Sequence, residues 1–342
     1  MERLHEGFTL FMSLVVEAMP FLLAGVILSS LMLLWIDERQ LLARLPRHPL
    51  LGAMVGSLTG LLFPVCECGN IPVARRLLMQ RAPASVAIAF LLAAPTVNPI
   101  AIWSTWVAFR DQPEIVVLRV VLSLIIAVTI ACLFGVQRDA RGLLQPKLVR
   151  RMALMETYGR ERANIPSGSA AATVGLQSGT YVLGQSGRST RLETLPLTAT
   201  ATDGRNAVKR RLELFANNVV VELRELGAML ILGSAIAAAI QVLAPRELVV
   251  GLGEGPVLSI VAMMLLAALV SICSTVDAFF ALSFAATFTT GSLLAFLVFG
   301  PIVDIKAAGL LLSVFRPRVV AYIFAIAAQL TFLLTLAYTF LA

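Results

Sequence analysis

Within five residues this chain sets two thiols, a carboxylate and an amide: Cys66, Glu67, Cys68 and Asn70. A third thiol, Cys273, stands far downstream beside Ser274, Thr275 and Asp277. Thiolates are soft donors that favour soft centres such as Cu(I) or trivalent arsenic over Mg²⁺ or Ca²⁺. Cys66, Cys68 and Cys273 are therefore candidate soft ligands, a Cys-x-Cys pair plus one more sulfur for a three-sulfur cradle. Asn98, Asp304 and Lys306 form a second group of polar residues in apolar surroundings. Lys306, two residues after Asp304, is either its charge partner or an anion site. The plainer alternative is a neutralised pair that holds a broken helix. Cys132, inside an ordinary apolar run, reads as a small hydrophobe.

The first group lies in Phe63-Pro64-Val65-Cys66-Glu67-Cys68-Gly69-Asn70-Ile71-Pro72, directly after the apolar residues 50–62. Two prolines and a glycine interrupt a helix and leave backbone groups that lipid cannot satisfy. At membrane depth such a break survives only where protein buries it or where it borders a watery cavity. Ionisable groups placed there are functional candidates by default, and Glu67, Asp277 and Asp304 are candidate proton carriers. The alternative is a polar loop just outside the membrane.

A fainter copy of this stretch lies about 207 residues downstream, in Val270-Ser271-Ile272-Cys273-Ser274-Thr275-Val276-Asp277. It sets Cys273 opposite Cys66 and Asp277 opposite Asn70. Ala94-Pro95-Thr96-Val97-Asn98-Pro99-Ile100 matches Gly300-Pro301-Ile302-Val303-Asp304-Ile305-Lys306, and Glu17 and Gly25 match Glu225 and Gly233. No single match is strong; their shared order and nearly constant offset mark a duplication.

Of 342 residues, 58% are hydrophobic and 14% charged, and mean hydropathy is +0.88. That excludes a soluble globular domain and identifies a polytopic membrane protein. The net charge of +7 calls for no nucleic acid: 13 of the 27 basic residues fall within residues 138–211, against five acids. Cytoplasmic loops enriched in Lys and Arg account for it. No amino-terminal signal peptide is read, because the first apolar run is too long and lacks a clear cleavage site. Four cysteines at these positions are no extracellular disulfide framework. No Walker A motif is present, so energy would come from an ion gradient, with proton coupling an option, or from a partner. No cofactor is called for, and the oligomeric state is left open.

In chain order, residues 8–35 read as a long helix interrupted by Glu17 and Pro20. Residues 50–62 enter the membrane and stop at the cysteine break; residues 84–109 are apolar but interrupted at Pro95 and Pro99; residues 115–136 cross again, with Arg119 near their start. Residues 137–210 form a linker, basic in its first part and rich in Ser, Thr, Gly and Ala afterwards. It reads as flexible, with a local hairpin around residues 175–184. Residues 212–243, 257–272, 278–290, 292–315 and 319–342 then follow the same plan. The division is a first transmembrane repeat at 1–136, the cytoplasmic linker at 137–210, and a second, inverted repeat at 211–342.

If the segments around each cysteine break are re-entrant hairpins, each half crosses three times, and an odd number inverts the second half. With the linker in the cytoplasm, Arg39, Arg44, Arg47, Arg75, Arg76, Arg81, Arg316 and Arg318 fall there too, and Arg3, Arg110, Arg119 and Arg246 fall outside or near that face. Eight spans with parallel halves would instead move five of these arginines outside. The positive-inside rule favours inversion. The expected fold class is thus an all-α membrane protein with an inverted structural repeat. Each half has about three transmembrane helices plus a re-entrant hairpin and broken helices.

Cys66-Glu67-Cys68-Gly69-Asn70-Ile71-Pro72, followed by Ala94-Pro95-Thr96-Val97-Asn98-Pro99, resembles the signature of the predicted permeases of the YraQ/ArsP type. The resemblance covers both halves and leaves the linker aside. It implies a multi-pass permease of the cytoplasmic (inner) membrane and makes a soft metalloid plausible as substrate. Some members resemble exporters of trivalent organoarsenicals in which cysteines handle the substrate. The expectation is a secondary permease, not an enzyme, moving a small soft or thiol-reactive solute through a midplane site between the repeats. The rivals are a membrane thiol oxidoreductase using Cys66 and Cys68, and a scaffold presenting the linker. The second half offers only Cys273 and Asp277 where the first has Cys-x-Cys-Gly-Asn, so twofold ligation is not expected.

Overall fold

A computed structural model of the chain describes residues 2–35, 46, 48–62, 66–80, 82–136, 142–150, 152–153, 181–183, 189–191, 204–243, 255–274, 276–285 and 287–341. The part of the linker expected to be flexible, the loop expected over 245–255 and Thr275 lie largely or wholly outside the described residues. Among those described there are twelve helices. They are α1 (Glu2–Trp35), α2 (Pro49–Leu62), α3 (Glu67–Met79), α4 (Ala84–Val97), α5 (Pro99–Ala108) and α6 (Pro113–Gly135). After the linker come α7 (Gly204–Leu243), α8 (Pro256–Val270), α9 (Asp277–Leu282), α10 (Thr290–Phe299), α11 (Ile305–Val314) and α12 (Pro317–Leu341). Within the linker, β1 (Tyr181–Leu183) pairs antiparallel with β2 (Ser189–Arg191), a hairpin centred a few residues beyond the expected place.

Five of these helices open on a proline, at Pro49, Pro99, Pro113, Pro256 and Pro317. The first helical position needs no N–H partner and suits proline's fixed φ. Five stretches are long and apolar enough to cross a membrane: His5–Leu31, Ala84–Ala108, Pro113–Gly135, Phe215–Val242 and Pro317–Leu341. The sixth crossing expected over residues 292–315 is split at 300–304 into α10 and α11, and each ten-residue piece spans only about 15 Å.

Close contacts fix the helix directions. In α2, Gly52 abuts Ser85 and Val86 at the start of α4, and Gly60 abuts Ala94 near its end, so the two run the same way. A Cβ on Gly56 would lie 2.3 Å from the Val86 carbonyl oxygen. Glycines four apart bring the two backbones together where no hydrophobic force separates protein from lipid. Gly135, at the end of α6, meets Ser85, so α6 runs against α4. The second half has the same neighbours. Ser259 of α8 shares a 2.8 Å hydrogen bond with Ser292 of α10, Ala267 faces Gly300, and Gly291 meets Thr339 near the end of α12.

Helices α1 and α7 pack antiparallel. Gly7 lies against Val242, Leu14 packs with Ala237 and Ala238, and Asn218 Nδ2 donates to Ser30 Oγ at 3.0 Å. The start of the linker is tied to the second half. Gln145 donates through its backbone N–H to Val314 O and through Nε2 to Leu312 O, while the Arg316 N–H donates to Leu143 O. The end of the molecule holding these contacts is called the linker end, and the end holding the turn at residues 109–112 the far end.

Helix α3 packs against α1, α4, α7 and α11 and is buried from Glu67 to Leu78. The first break is therefore shorter than its prolines imply. The helix resumes at Glu67 and carries Pro72 inside it, and Pro95 likewise lies inside α4, leaving Asn98 alone between α4 and α5. Arg75 and Arg76, assigned from the sequence to the cytoplasmic side, sit buried in α3, where α7 supplies acids to meet them.

Candidate functional site

Helix starts converge at the centre of the molecule. Cys66 is the N-cap of α3 in extended conformation, and Glu67 opens that helix. Cys273 and Ser274 lie in the non-helical stretch between α8 and α9, and Asp277 opens α9. Asn98 caps α5 by accepting from the Ala101 N–H at 2.6 Å. Asp304 caps α11 in the same way, accepting from the Ala307 N–H. An N-cap side chain satisfies a donor that the helix leaves unpaired. These two matched residues thus have a local duty whatever else they do.

The structure brings the three expected thiols together. Cys66 lies close enough to both Cys68 and Cys273 to interact with them, and all three are buried, at 4%, 1% and 4% exposure. Among the described residues no group of three or more His, Cys, Asp and Glu side chains is arranged to hold a metal ion. The thiols are neighbours, not a ready coordination set, and all four cysteines are free. Cys132 stands apart in α6, partly buried.

Beside the thiols lies an ionic cluster drawn from both halves. Glu67 interacts with Asp304, Lys306 and Cys273, and its side chain hydrogen-bonds that of Asp304. Lys306 also feels Cys68 and Glu17. Glu67, Asp304 and Lys306 are all at least 95% buried, and Glu67 Oε2 and Asp304 Oδ2 have no hydrogen-bond partner. Lys306 stands between the two carboxyl groups electrostatically, as the positive charge both of them meet. Asn70 is buried in α3. The contacts described for Asn98 are with its own helix start and with Pro95 O, so it stands outside the ionic cluster.

Asp277 is held by a residue that the sequence reading left near the far face. Arg119 of α6 donates through Nη2 to Asp277 Oδ2 at 2.6 Å and through Nη1 to Oδ1 at 3.1 Å. Nη1 also donates to Thr105 Oγ1 at 2.7 Å, and Nη2 approaches Ser274 O at 3.5 Å. Arg119 is 1% exposed. The signal was present: one arginine inside an apolar run must be paired or must line a path. A second residue missed is Ser271, which ends α8 at φ 49°. That left-handed conformation is costly for a side-chain residue. It lets the Ser271 hydroxyl accept from the Ile305 N–H at 3.3 Å, joining the end of α8 to the start of α11.

A second polar cluster lies toward the linker end. Arg75 Nη2 donates to Glu225 Oε2 at 2.8 Å. Buried Glu222 lies close enough to Arg75 and Arg76 to interact with both. Gly25 of α1 approaches Gly69 so closely that a Cβ on it would lie 2.2 Å from the Gly69 carbonyl oxygen. The glycine of the Cys-x-Cys-Gly-Asn run therefore seats α3 on α1.

Residues 3–340 match the ArsP_1 family model, described as a predicted permease. The chain is similar to the UPF0718 protein YcgR of Bacillus subtilis (strain 168), 34% identical over 312 residues, 91% of this chain and 90% of that one. It is also similar to a Streptococcus mutans protein that carries the name of a two-component membrane permease complex subunit. That match is 29% identical over 309 residues, 90% of this chain and 87% of that one. No solved structure matches.

Proposed function

From the chain's membership of the predicted-permease family, to which it belongs over nearly its whole length, we propose that it is a secondary permease of the cytoplasmic membrane. It moves a small soft or thiol-reactive solute, a metalloid or organoarsenical being the leading class, through a midplane site between two inverted halves. The observation that carries this reading is the buried proximity of Cys66 and Cys68 from one half to Cys273 from the other. A trivalent centre carrying hydroxide or thiolate groups would exchange them for these sulfurs in turn: the S–H and solute–ligand bonds break, a sulfur–solute bond forms, and the displaced group takes the thiol's proton and leaves as water or free thiol. Glu67 and Asp304 stand beside the thiols to relay that proton to the leaving group.

The inverted arrangement has independent support. Helices α1 and α7, which carry the matched Glu17 and Glu225, run antiparallel. In each half a short entering helix lies parallel to a broken one, α2 with α4 and α8 with α10. A tight turn from Gln80 to Pro83, closed by the Ala82 N–H donating to Leu77 O at 2.9 Å, sends α3 back beside α4. In this reading residues 49–79 are a re-entrant hairpin, and α10 with α11 supplies the sixth crossing. The repeats are 1–136 and 211–342, and the linker of 137–210 lies in the cytoplasm. A companion subunit would follow the two-component complex for which the streptococcal relative is named.

Sealed vesicles containing the protein should take up or expel a trivalent organoarsenical or soft metal ion. Movement of none across a panel of such solutes would remove the proposal. The Cys66–Cys68 contact also favours a second reading, a thiol oxidoreductase. That reading requires a reversible Cys66–Cys68 disulfide in membranes, which alkylation under reducing and oxidising conditions would reveal.

A further inference from the structure

We infer that two ion pairs joining the halves act as opposing latches on the thiol cluster, Arg119–Asp277 toward the far end and Arg75–Glu225 toward the linker end. The inference rests on the permease reading and adds which contacts must part for the site to open to each side.

Position carries the argument. Arg119 stands six residues into α6, about 9 Å below the far end. Its Nη2 reaches the carbonyl of Ser274, the residue after Cys273. The pair therefore lies between the thiols and the far end. Arg75 lies nine residues past Cys66 along α3, a helix that starts against Gly25 and runs alongside the later part of α1 toward the linker end. Its bond to Glu225 of α7 closes the other side. In this structure both pairs are formed and Cys66, Cys68 and Cys273 are buried, as in a state shut at both ends.

The chemistry suits contacts that break and re-form. A buried ion pair gains little net stability, because desolvation offsets attraction, yet losing one partner strands a charge. Arg119 Nε is buried without a hydrogen-bond partner, so its desolvation is not fully recovered. The two latches are also unlike. Asn70 matches Asp277, and Ile323 stands in α12 where Arg119 stands in α6, six residues past the opening proline of each helix. The far-end pair therefore has no copy at the linker end, where the Arg75–Glu225 pair takes its place. Its carboxylate is 40% exposed, against 4% for Asp277.

The test uses full-length protein in vesicles with Cys273 as its sole cysteine (Cys66→Ser, Cys68→Ser, Cys132→Ser), orientation being fixed by protease cleavage within residues 137–210. A membrane-impermeant maleimide is added to either face. Asp277→Asn or Arg119→Gln is expected to raise labelling from the far face on the order of tenfold; Arg75→Gln or Glu225→Gln is expected to raise it from the linker face. The double variant Arg119→Asp with Asp277→Arg should return labelling to that of the parent. Labelling that is unchanged, raised from the same face by both pairs, raised from both faces at once, or not restored by the double variant overturns the latches. Labelling needs no solute. A side-specific rise, where the chain with all its native cysteines moves none of the tested solutes, would keep the latches and remove the permease reading; transport by that native chain without such a rise would do the reverse.

Discussion

At the scale of single residues, the centre holds two chemistries that mutation can separate. Cys66→Ser or Cys68→Ser is expected to lower transport at least about tenfold while membrane insertion is kept, because a hydroxyl hydrogen-bonds like a thiol but is no soft ligand. Cys132→Ser, away from the cluster, should leave transport in sealed vesicles unchanged. Full activity in a Cys66→Ser, Cys68→Ser double variant would end the thiol-ligand idea. Asp304 has two duties, capping α11 and facing Glu67 and Lys306. Asp304→Asn keeps the cap and removes the charge, whereas Asp304→Ala loses both, and losing the cap costs about 1 kcal/mol. If the charge serves transport, both variants are inactive but only the alanine form has a lowered Tm in detergent. If Glu67 carries the coupled proton, Glu67→Gln should flatten the pH dependence of transport across the neutral range. A wild-type rate that is already flat there would leave that proton without a role.

At the scale of elements, the short helices depend on glycines that no hydropathy scale values. Gly52, Gly56 and Gly60 let α2 lie on α4, and Gly25 with Gly69 lets α3 lie on α1. Gly56→Leu and Gly25→Ala each force a Cβ against a backbone oxygen that cannot yield. They should destabilise the protein by about 1–3 kcal/mol, read as a lowered Tm of the detergent-solubilised chain. Gly142→Ala, with nothing within 4 Å of the added carbon, is the matched control and should leave the Tm unchanged. The broken helices were legible because proline and polar residues fell together inside apolar runs. Their boundaries were not. Whether Pro72 and Pro95 end a helix or sit within one depends on neighbours that take up the freed carbonyl, which the sequence does not order in space.

At the scale of the whole molecule, the halves meet through sulfur. In a chain that keeps only Cys66 and Cys273, mild oxidation should form a disulfide joining the two halves. After proteolysis within residues 137–210 the fragments should remain one species on a non-reducing gel and separate on reduction. Fragments that separate without reductant would place the two thiols apart and remove the shared site.

The sequence by itself determined a polytopic helical membrane protein; the two matched sets of breaks and Cys66, Glu67, Cys68, Asn70, Asn98, Cys273, Asp277, Asp304 and Lys306 as the chemistry-bearing residues are its proposals. Composition and spacing are local properties, so the chain alone displays them. Partner choice across the molecule is not local. That Asp277 is clamped by Arg119 and not left for a solute, and that Arg75 turns inward to Glu225, was decided by tertiary packing. An ionisable side chain buried at that depth takes the nearest opposite charge, and that charge lies 158 residues away in one case and 150 in the other.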